Sequence, residues 1–435
     1  MKKSEKIVYL LVERLRKGEL KKGDKLPSIR QMVEEFHCNK ETVQRALAVL
    51  KQEQYIYSVE KSGHYVLNDL HKESSSALEE TALPSEVQFP LSDFQLCVNE
   101  ALLSRRNLMI GDKIPSVGIP ELLSSLQHLL MEYDVYAKKE QLLVVDRIQQ
   151  VLYLIVRMVK ETPGKKMLIE QPTYHHMNHL VEVLQVPYQV ISRTPEGIDL
   201  VELERLFSSG EIMCFYTISR LHYPLAGSFS EEEKKRIVAL AREYRVMIIE
   251  DDYMADFSSG QSAPLHYYDT DNRVVYLKTF SSIMFPSFRL GVVVLPKAWH
   301  QQLSYQKELM GYDANYLLQK SLSLYIENGM YHKHQKRLIA LYRKKKQVAA
   351  MILEQYYPGK VYLQHTMMIF PLKENVSMDC LHQLVQQEAN FDLMERAYLA
   401  ECPYQYLKLD IRLMDVLVIE QQLPTLLAKI TDFTQ

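Results

Sequence analysis

Nowhere does this 435-residue chain approach the ~18 consecutive apolar residues that a helix needs to cross a bilayer. The apolar stretch Ile7 to Val12 near the basic N-terminus is cut off by Glu13 and Arg14 and is followed by no small-residue cleavage site, which argues against a secretory signal. Cysteine is scarce as well. The five present, at 38, 97, 214, 380 and 402, are odd in number and far apart, so they read as reduced thiols rather than a disulfide framework. With 14 glycines and 17 prolines the chain is neither collagen-like nor of low complexity, and no internal repeat is evident. The absences together predict a cytoplasmic protein with no membrane segment.

What remains is ordinary globular material, 47% hydrophobic and 24% charged, long enough for two or three domains. The formal net charge of −2 hides a polarity. Residues 1–67 hold 14 Lys+Arg against 9 Asp+Glu, whereas the rest of the chain holds 38 against 45. The basic end is therefore the one to examine for nucleic-acid binding.

Within that end, Ile7, Leu10, Leu11 and Leu15 recur at helical spacing, and Gly18 and the Gly23-Asp24 pair close the segment. Ser28 followed by Gln31 has the spacing of a capping box, ahead of a stripe made by Ile29, Met32, Val33 and Phe36. Asn39 is positioned to cap a third helix in which Val43, Ala46, Leu47 and Leu50 face inward, leaving Lys40, Glu41, Gln44 and Arg45 outside. Two apolar runs, Tyr55 to Val59 and His64 to Leu67, flank the polar turn Glu60-Lys-Ser-Gly63 and read as a two-stranded wing. Two helices joined by a short turn, the second polar near its start, have the geometry that enters a major groove. The order of these pieces, with Gly23-Asp-Lys-Leu-Pro-Ser-Ile-Arg30 and Thr42-Val-Gln-Arg-Ala-Leu47, resembles the winged helix-turn-helix of GntR-type regulators. That resemblance implies contact with a double-stranded DNA operator through Arg30, Lys40, Glu41 and Gln44 and, at the wing tip, Ser62, Gly63 and His64. Arg30 and Lys40 suit phosphates, and Gln44 suits an adenine edge. Glu41 would repel phosphate, so it accepts from a cytosine amino group or points away.

Residues 68–85 are polar, small and aperiodic, and read as a tether. Beyond them, apolar runs at 144–145, 166–169, 213–216, 246–249, 274–277 and 292–295 alternate with helical stretches, the pattern of a largely parallel sheet covered on both faces. The carboxylates Glu250-Asp251-Asp252 directly follow one of these runs, where open α/β sheets keep their sites; capping of a helix is the plainer role.

Taken together, residues 86 to the end resemble the aminotransferases of fold type I, which use pyridoxal phosphate (PLP), and the whole chain resembles the MocR branch of the GntR regulators. The resemblance implies an α/β large domain over residues 86–325, a smaller α+β domain over 326–435, and a homodimer. Gly111, Asp112 and Gly118-Ile-Pro-Glu-Leu122 match the loop on the substrate side. By the same resemblance Tyr174 stacks on the cofactor ring, Asp251 pairs with its nitrogen, Tyr253 reaches its phenolate oxygen, and Thr279, Ser281 and Arg289 meet its phosphate.

Four positions depart from the pattern. Ser282 follows Thr279-Phe280-Ser281 where the lysine that binds PLP covalently is expected, and serine cannot form that bond. Asp146-Arg147-Ile148-Gln149 replaces a small-residue phosphate loop. Tyr223 stands in place of an asparagine, and Lys408 in place of the arginine that grips a substrate carboxylate, without its bidentate fork. Lys278 lies four residues before Ser282 and would need a rearrangement to substitute. The expectation is a DNA-binding regulator, not an enzyme, whose body senses an unknown small molecule without a Schiff base. The alternatives are a noncovalent PLP site and an aminotransferase with a relocated lysine.

Two weaker signals remain. His175 and His179 have the i, i+4 spacing of a metal pair but no third ligand nearby, so packing or surface roles are expected. The basic run from His332 to Lys346 reads as one solvated face of a long helix, with DNA or an interdomain contact as the sharper reading.

Overall fold

A computed structural model describes residues 3–16, 19–20, 23–52, 55–59, 63–66, 89–104, 115–258, 260, 262–311, 313–373, 376–388, 390–399, 406–431 and 433–434. They fall into two compact units, one within residues 1–83 and one within 84–435.

The first unit has three helices, α1 (Lys3–Arg16), α2 (Ile29–Glu35) and α3 (Lys40–Gln52), and the antiparallel pair β1 (Ile56–Val59) and β2 (Gly63–Val66). Ser28 Oγ accepts from Gln31 N while Gln31 Oε1 accepts from Ser28 N, so both halves of the capping box are formed at α2. At α3 the Asn39 carboxamide oxygen accepts from Thr42 N at 2.9 Å. Ile7, Leu11 and Leu15 of α1, Met32 of α2 and Val43, Ala46, Leu47 and Leu50 of α3 close one core with Ile56 and Val66. Leu10 departs from expectation and is exposed, because the buried stripe runs at steps of four through 7, 11 and 15 and leaves position 10 on its flank. Gly18 and the tether at 68–85 lie outside the described residues, as do Ser62, Gly111 and Asp112.

The second unit is built on an eight-stranded sheet. Its strands are β3 (Leu142–Val145), β4 (Lys166–Gln171), β5 (Tyr188–Thr194), β6 (Gly197–Ile198), β7 (Ile212–Thr217), β8 (Met247–Asp251), β9 (Val274–Thr279) and β10 (Gly291–Val294), in the order β3-β10-β9-β8-β7-β4-β5-β6. The five strands β5-β4-β7-β8-β9 are parallel, whereas β10 runs against both β3 and β9 and β6 against β5. Each apolar run read from the sequence lies in or at one of these strands, and alternate residues point to opposite faces. Met167, Ile169, Cys214, Tyr216, Ile249 and Leu277 pack with the helix Ile148–Glu161, while Leu168, Phe215, Ile248 and Val274 pack with the helices Leu200–Ser208 and Glu231–Glu243. Burial on both faces is why the strands read as continuous apolar runs.

Gly118 opens the helix Pro120–Met131 with φ of +118°, and a Cβ there would lie 2.6 Å from a Val144 methyl, so only glycine fits. The 27-residue helix Met330–Tyr356 then leads to a four-stranded antiparallel sheet of β11 (Tyr362–Gln364), β12 (Met367–Pro371), β13 (Phe391–Asp392) and β14 (Tyr406–Asp410), ordered β11-β12-β14-β13. The far end of that helix and the helix Val416–Ile430 cover it with Val348, Ala349, Leu353, Ile419, Leu423 and Leu427. Lys333, Lys336, Arg337, Arg343, Lys344 and Lys346 are on its exposed side, and Lys345 turns inward to donate to the Arg412 carbonyl oxygen at 2.8 Å.

Candidate functional site

On the first unit, Arg30, Lys40, Glu41 and Gln44 are all exposed, the last three in the opening turns of α3. Arg30 Nε lies 3.5 Å from Glu34 one turn on, a pair so exposed that it adds little. Gly63 and His64 begin β2 and are half-buried, with His64 opposite Ser58 in the ladder. Helix, turn and hairpin thus present polar side chains on a small rigid core, the arrangement a groove-reading module requires.

On the second unit, a cavity of about 430 Å³ opens where the parallel strands end. Tyr174, Asp251, Tyr253, Thr279, Ser281, Arg289 and Tyr223 line it together, as do Asp146, Arg147 and Gln149. The reason is topological: β4, β7, β8 and β9 all point their carboxyl ends the same way, and the segments that follow them carry these side chains.

The three adjacent carboxylates divide by the alternation of β8. Glu250 is fully buried and accepts from Leu265 N (2.7 Å) and His266 N (2.9 Å), which open a short helix, and from Ser219 Oγ. Asp252 is held by Arg220, with Nε at 3.2 Å, and by Tyr276 OH at 2.7 Å. These two are structural, and Glu250 caps a helix. Asp251 faces the other way. Its Oδ2 accepts from Tyr216 OH at 2.8 Å, while its buried Oδ1 has no partner among the described residues. Burial pushes its carboxyl up to about 7 against the pull of the Tyr216 hydroxyl.

Around it, Gln149 Nε2 donates to Tyr174 OH at 2.6 Å, and burial pushes that phenol up to about 12. Tyr253 OH donates to the Leu221 carbonyl at 3.1 Å. Thr279 Oγ1 and Ser281 Oγ lie 3.1 Å apart beside Arg289, close to where the helix Ile148–Glu161 begins. Burial raises the Asp146 carboxyl and the Arg289 charge opposes this, so an acid and a cation share that side of the cavity.

Ser282 and Lys408 do not line the cavity. Ser282 Oγ donates to the Tyr253 carbonyl at 2.8 Å. Lys408 is paired across the small sheet with Asp392, whose Oδ2 lies 2.7 Å from Nζ, because the β13/β14 register sets the two residues opposite one another. Its ammonium also sits 4.7 Å from the centre of the Tyr223 ring. Burial works against charge on both partners, yet the Asp392 carboxyl ends lowered and the Lys408 ammonium raised, so the pair stays ionised. Lys278 is withdrawn too, fully buried with Nζ 2.5 Å from Asp256 Oδ2. No lysine is found among the described residues lining the cavity.

Sequence reading missed His176, His365, Thr366, Asp410 and Arg412, which also line it. Asp410 and Arg412 follow Lys408 at steps of two, the one signal that would have placed them on a shared side. Burial and the Arg412 charge push His365 down to about 3, so it is neutral. His175 and His179 lie beside another depression, and no group of three potential metal ligands occurs among the described residues.

These residues suit pyridoxal phosphate in part. The partnerless, buried Oδ1 of Asp251 matches a ring nitrogen that carries a proton, and Thr279, Ser281 and Arg289 offer hydroxyls and a guanidinium to a phosphate. An amine for covalent attachment is what the described lining lacks.

Comparison with known proteins follows the same division. The family described as "Bacterial regulatory proteins, gntR family" matches residues 3–66, and "Aminotransferase class I and II" matches residues 102–370. The chain is 33% identical, over 94% of its length and 95% of the relative's, to the uncharacterized HTH-type transcriptional regulator YcxD of Bacillus subtilis strain 168. It is 28% identical to aromatic-amino-acid aminotransferase 1 of Thermococcus litoralis, over 64% of this chain and 68% of that one. Among solved structures, the multiple substrate aminotransferase of Thermococcus profundus superposes with a TM-score of 0.72 at 22% identity, covering 80% of this chain and 90% of that one. A kynurenine aminotransferase of Pyrococcus horikoshii gives 0.72 at 21%, covering 80% and 89%. At these identities the structural likeness speaks for the fold, that of the type I aminotransferases.

Proposed function

The chain belongs to the aminotransferase class I and II family, with a GntR-family DNA-binding unit ahead of that domain, and on this premise we propose that it is a MocR-type transcription regulator whose body binds a small molecule noncovalently and performs no transamination. Two bodies pair as a homodimer in the cytoplasm, and the tether at 68–85 lets two heads reach separate operator half-sites. The heads dock through Arg30, Lys40, Gln44 and the wing-tip residues Ser62, Gly63 and His64, with Glu41 read as an acceptor or as turned aside. A ligand with different affinity for two arrangements of the dimer shifts operator occupancy by that difference.

The observation that carries this reading is the cavity itself: a buried acceptor without a partner at Asp251, cations at Arg147 and Arg289, and no lysine among the described lining residues. Asp251 also favours pyridoxal phosphate, or a molecule like it, as the ligand held. Tyr174 would lie against its ring, Tyr253 near its oxygen, and Thr279, Ser281 and Arg289 at its phosphate. That cofactor supplies an electron-accepting ring to chemistry at an attached amine. What this chain's residues do is bind and orient. The relocated-lysine reading is weakened by the Asp256 contact that occupies Lys278.

The test is to titrate the protein with pyridoxal phosphate, reduce with borohydride and weigh the chain, while following binding to a DNA fragment upstream of its own gene. Unchanged mass with retained DNA binding is expected. A reducible adduct on any lysine of this chain, removed together with transaminase turnover by Lys278→Ala, would overturn the proposal.

A further inference from the structure

Asp146 puts an acid where the cavity is otherwise arranged for an anion. The chain leaves β3 at Val145, passes through Asp146 and Arg147 and enters the helix Ile148–Glu161. Asp146 does not cap that helix, since the cap position is Arg147, which makes no side-chain bond there. Its carboxylate is half-buried, lines the cavity, and has neither a hydrogen bond nor an ion pair among the described residues. Arg289 lines the same cavity and is likewise unpaired among the described residues. It is near enough for its charge to oppose the effect of burial on the Asp146 carboxyl, yet the two form no ion pair. Beside Arg289, the hydroxyls of Thr279 and Ser281 lie 3.1 Å apart, and one donates to the other, so the pair keeps one hydrogen for a ligand. A guanidinium, a spare hydroxyl hydrogen and a carboxylate therefore line one side of the cavity. A group lying among them has to accept from the first two and donate to the third.

We propose that Asp146 makes this end of the cavity a site for a phosphate that keeps one proton, so that a phosphate monoester binds as its monoanion and a sulfate ester of the same shape is refused. This rests on the ligand reading given above and fixes the ionic form of that ligand's phosphate. An ionised carboxylate and a fully ionised phosphate both only accept, and two such groups face to face repel unless a hydrogen lies between them. A phosphate monoester releases its second proton at about pH 6, so near neutrality roughly a tenth of it still carries the hydrogen that Asp146 can accept. Arg289 and the spare hydroxyl hydrogen then meet its remaining oxygens. A sulfate ester bears the same single charge but has no hydrogen to give. Asp146 would itself have to take up the proton, which the neighbouring Arg289 charge opposes.

Three probes that share one pyridine ring decide the matter: pyridoxamine, pyridoxamine 5′-phosphate and pyridoxamine 5′-sulfate, titrated by calorimetry into the full-length protein near neutral pH. The phosphate is expected to bind about tenfold more tightly than either of the others. Asp146→Asn supplies an amide hydrogen in place of the acceptor, and Asp146→Ser a hydroxyl. Each is expected to raise affinity for the sulfate about tenfold. A sulfate that matches the phosphate in the unaltered protein overturns the proposal, and that comparison stands whether or not either variant folds. An affinity for the sulfate that neither substitution raises, in variants that still bind the phosphate, overturns it too. Pyridoxamine that binds as tightly as its phosphate removes the anion from this end of the cavity, which sinks the proposal while leaving the pyridine reading intact. If none of the three binds the unaltered protein, the pyridine reading falls and the proposal with it.

Discussion

Lys278 Nζ lies 2.5 Å from Asp256 Oδ2, both side chains fully buried, while Asp256 Oδ1 accepts from Tyr133 OH at 2.7 Å and Tyr331 OH at 2.5 Å. The carboxylate ties β9 to the turn that follows the helix Pro120–Met131 and to the helix Met330–Tyr356, and the Gln335 amide, donating to the Asp256 carbonyl at 2.8 Å, adds a second tie. An ammonium in such a place is a structural cation. Losing its partner strands a charge where water cannot reach it. Asp256→Ala is therefore expected to lower stability by about 3–5 kcal/mol in urea unfolding. Replacing both members with apolar residues of similar size should restore most of the loss, and a loss below about 1 kcal/mol for Asp256→Ala would contradict the account.

Asp251 makes stability depend on pH in the direction opposite to most carboxylates. Its ordinary value of 3.8 rises to about 7 on folding. Between those values the folded chain holds a proton that the unfolded chain has released, so this group's contribution to stability falls as pH rises and levels off above about 7. Asp251→Asn lacks the effect. Urea midpoints at pH 5, 6, 7 and 8 should show the variant gaining on the parent up to about pH 7 and running parallel beyond it. A difference that does not change with pH would place the Asp251 value near the ordinary one.

Lys40 and Gln44 sit a turn apart at the start of α3 and should fail in different ways. Lys40→Ala is expected to weaken binding to every duplex tested and to reduce the slope of log affinity against log salt by about 0.9. Gln44→Ala is expected to leave that slope alone and to cost about 1–3 kcal/mol of discrimination at one base pair. Fluorescence anisotropy on a duplex enriched by the protein from a random pool, and on its single-base variants, separates the two. Equal effects on all sequences from both substitutions would remove Gln44 from base reading.

Ser28→Ala deletes one half of the reciprocal cap at α2. The cost should be about 1 kcal/mol, read as a lower thermal midpoint of the N-terminal unit, and Ser28→Asp should recover most of it.

How far the sequence revealed all this depends on how local each cause is. The cap at Ser28, the cap at Asn39 and the strand runs follow from neighbours within a few residues, and they are where the sequence puts them. Leu10 was misjudged because three-residue and four-residue steps are indistinguishable on paper over so short a helix. Asp251 was legible because a strand end in an open sheet is a place as well as a residue. The separation of Asp251 from Glu250 and Asp252 was hidden, since it rests on donors 15 and 16 residues downstream of Glu250 and 32 upstream of Asp252. Lys408 shows the same limit. Its motif matches, but Asp392 on the adjoining strand decides where its charge goes, and no pattern within either segment announces that pairing. His365 and Arg412 enter the cavity only because the small sheet folds against the large one.

The turn between β9 and β10 is held from within. Phe280, Ile283, Met284, Phe288 and Leu290 are buried, Phe280 N donates to the Leu290 carbonyl at 3.0 Å, and Met284 N donates to the Phe280 carbonyl at 2.9 Å. Ser282 takes no part in that packing and needs only a carbonyl to donate to. Inheritance of the turn's shape is thereby uncoupled from the identity of residue 282. The side chain at position 282 can therefore change while the buried residues that shape the turn keep their packing, so what this turn presents to its surroundings is set apart from what holds it in place.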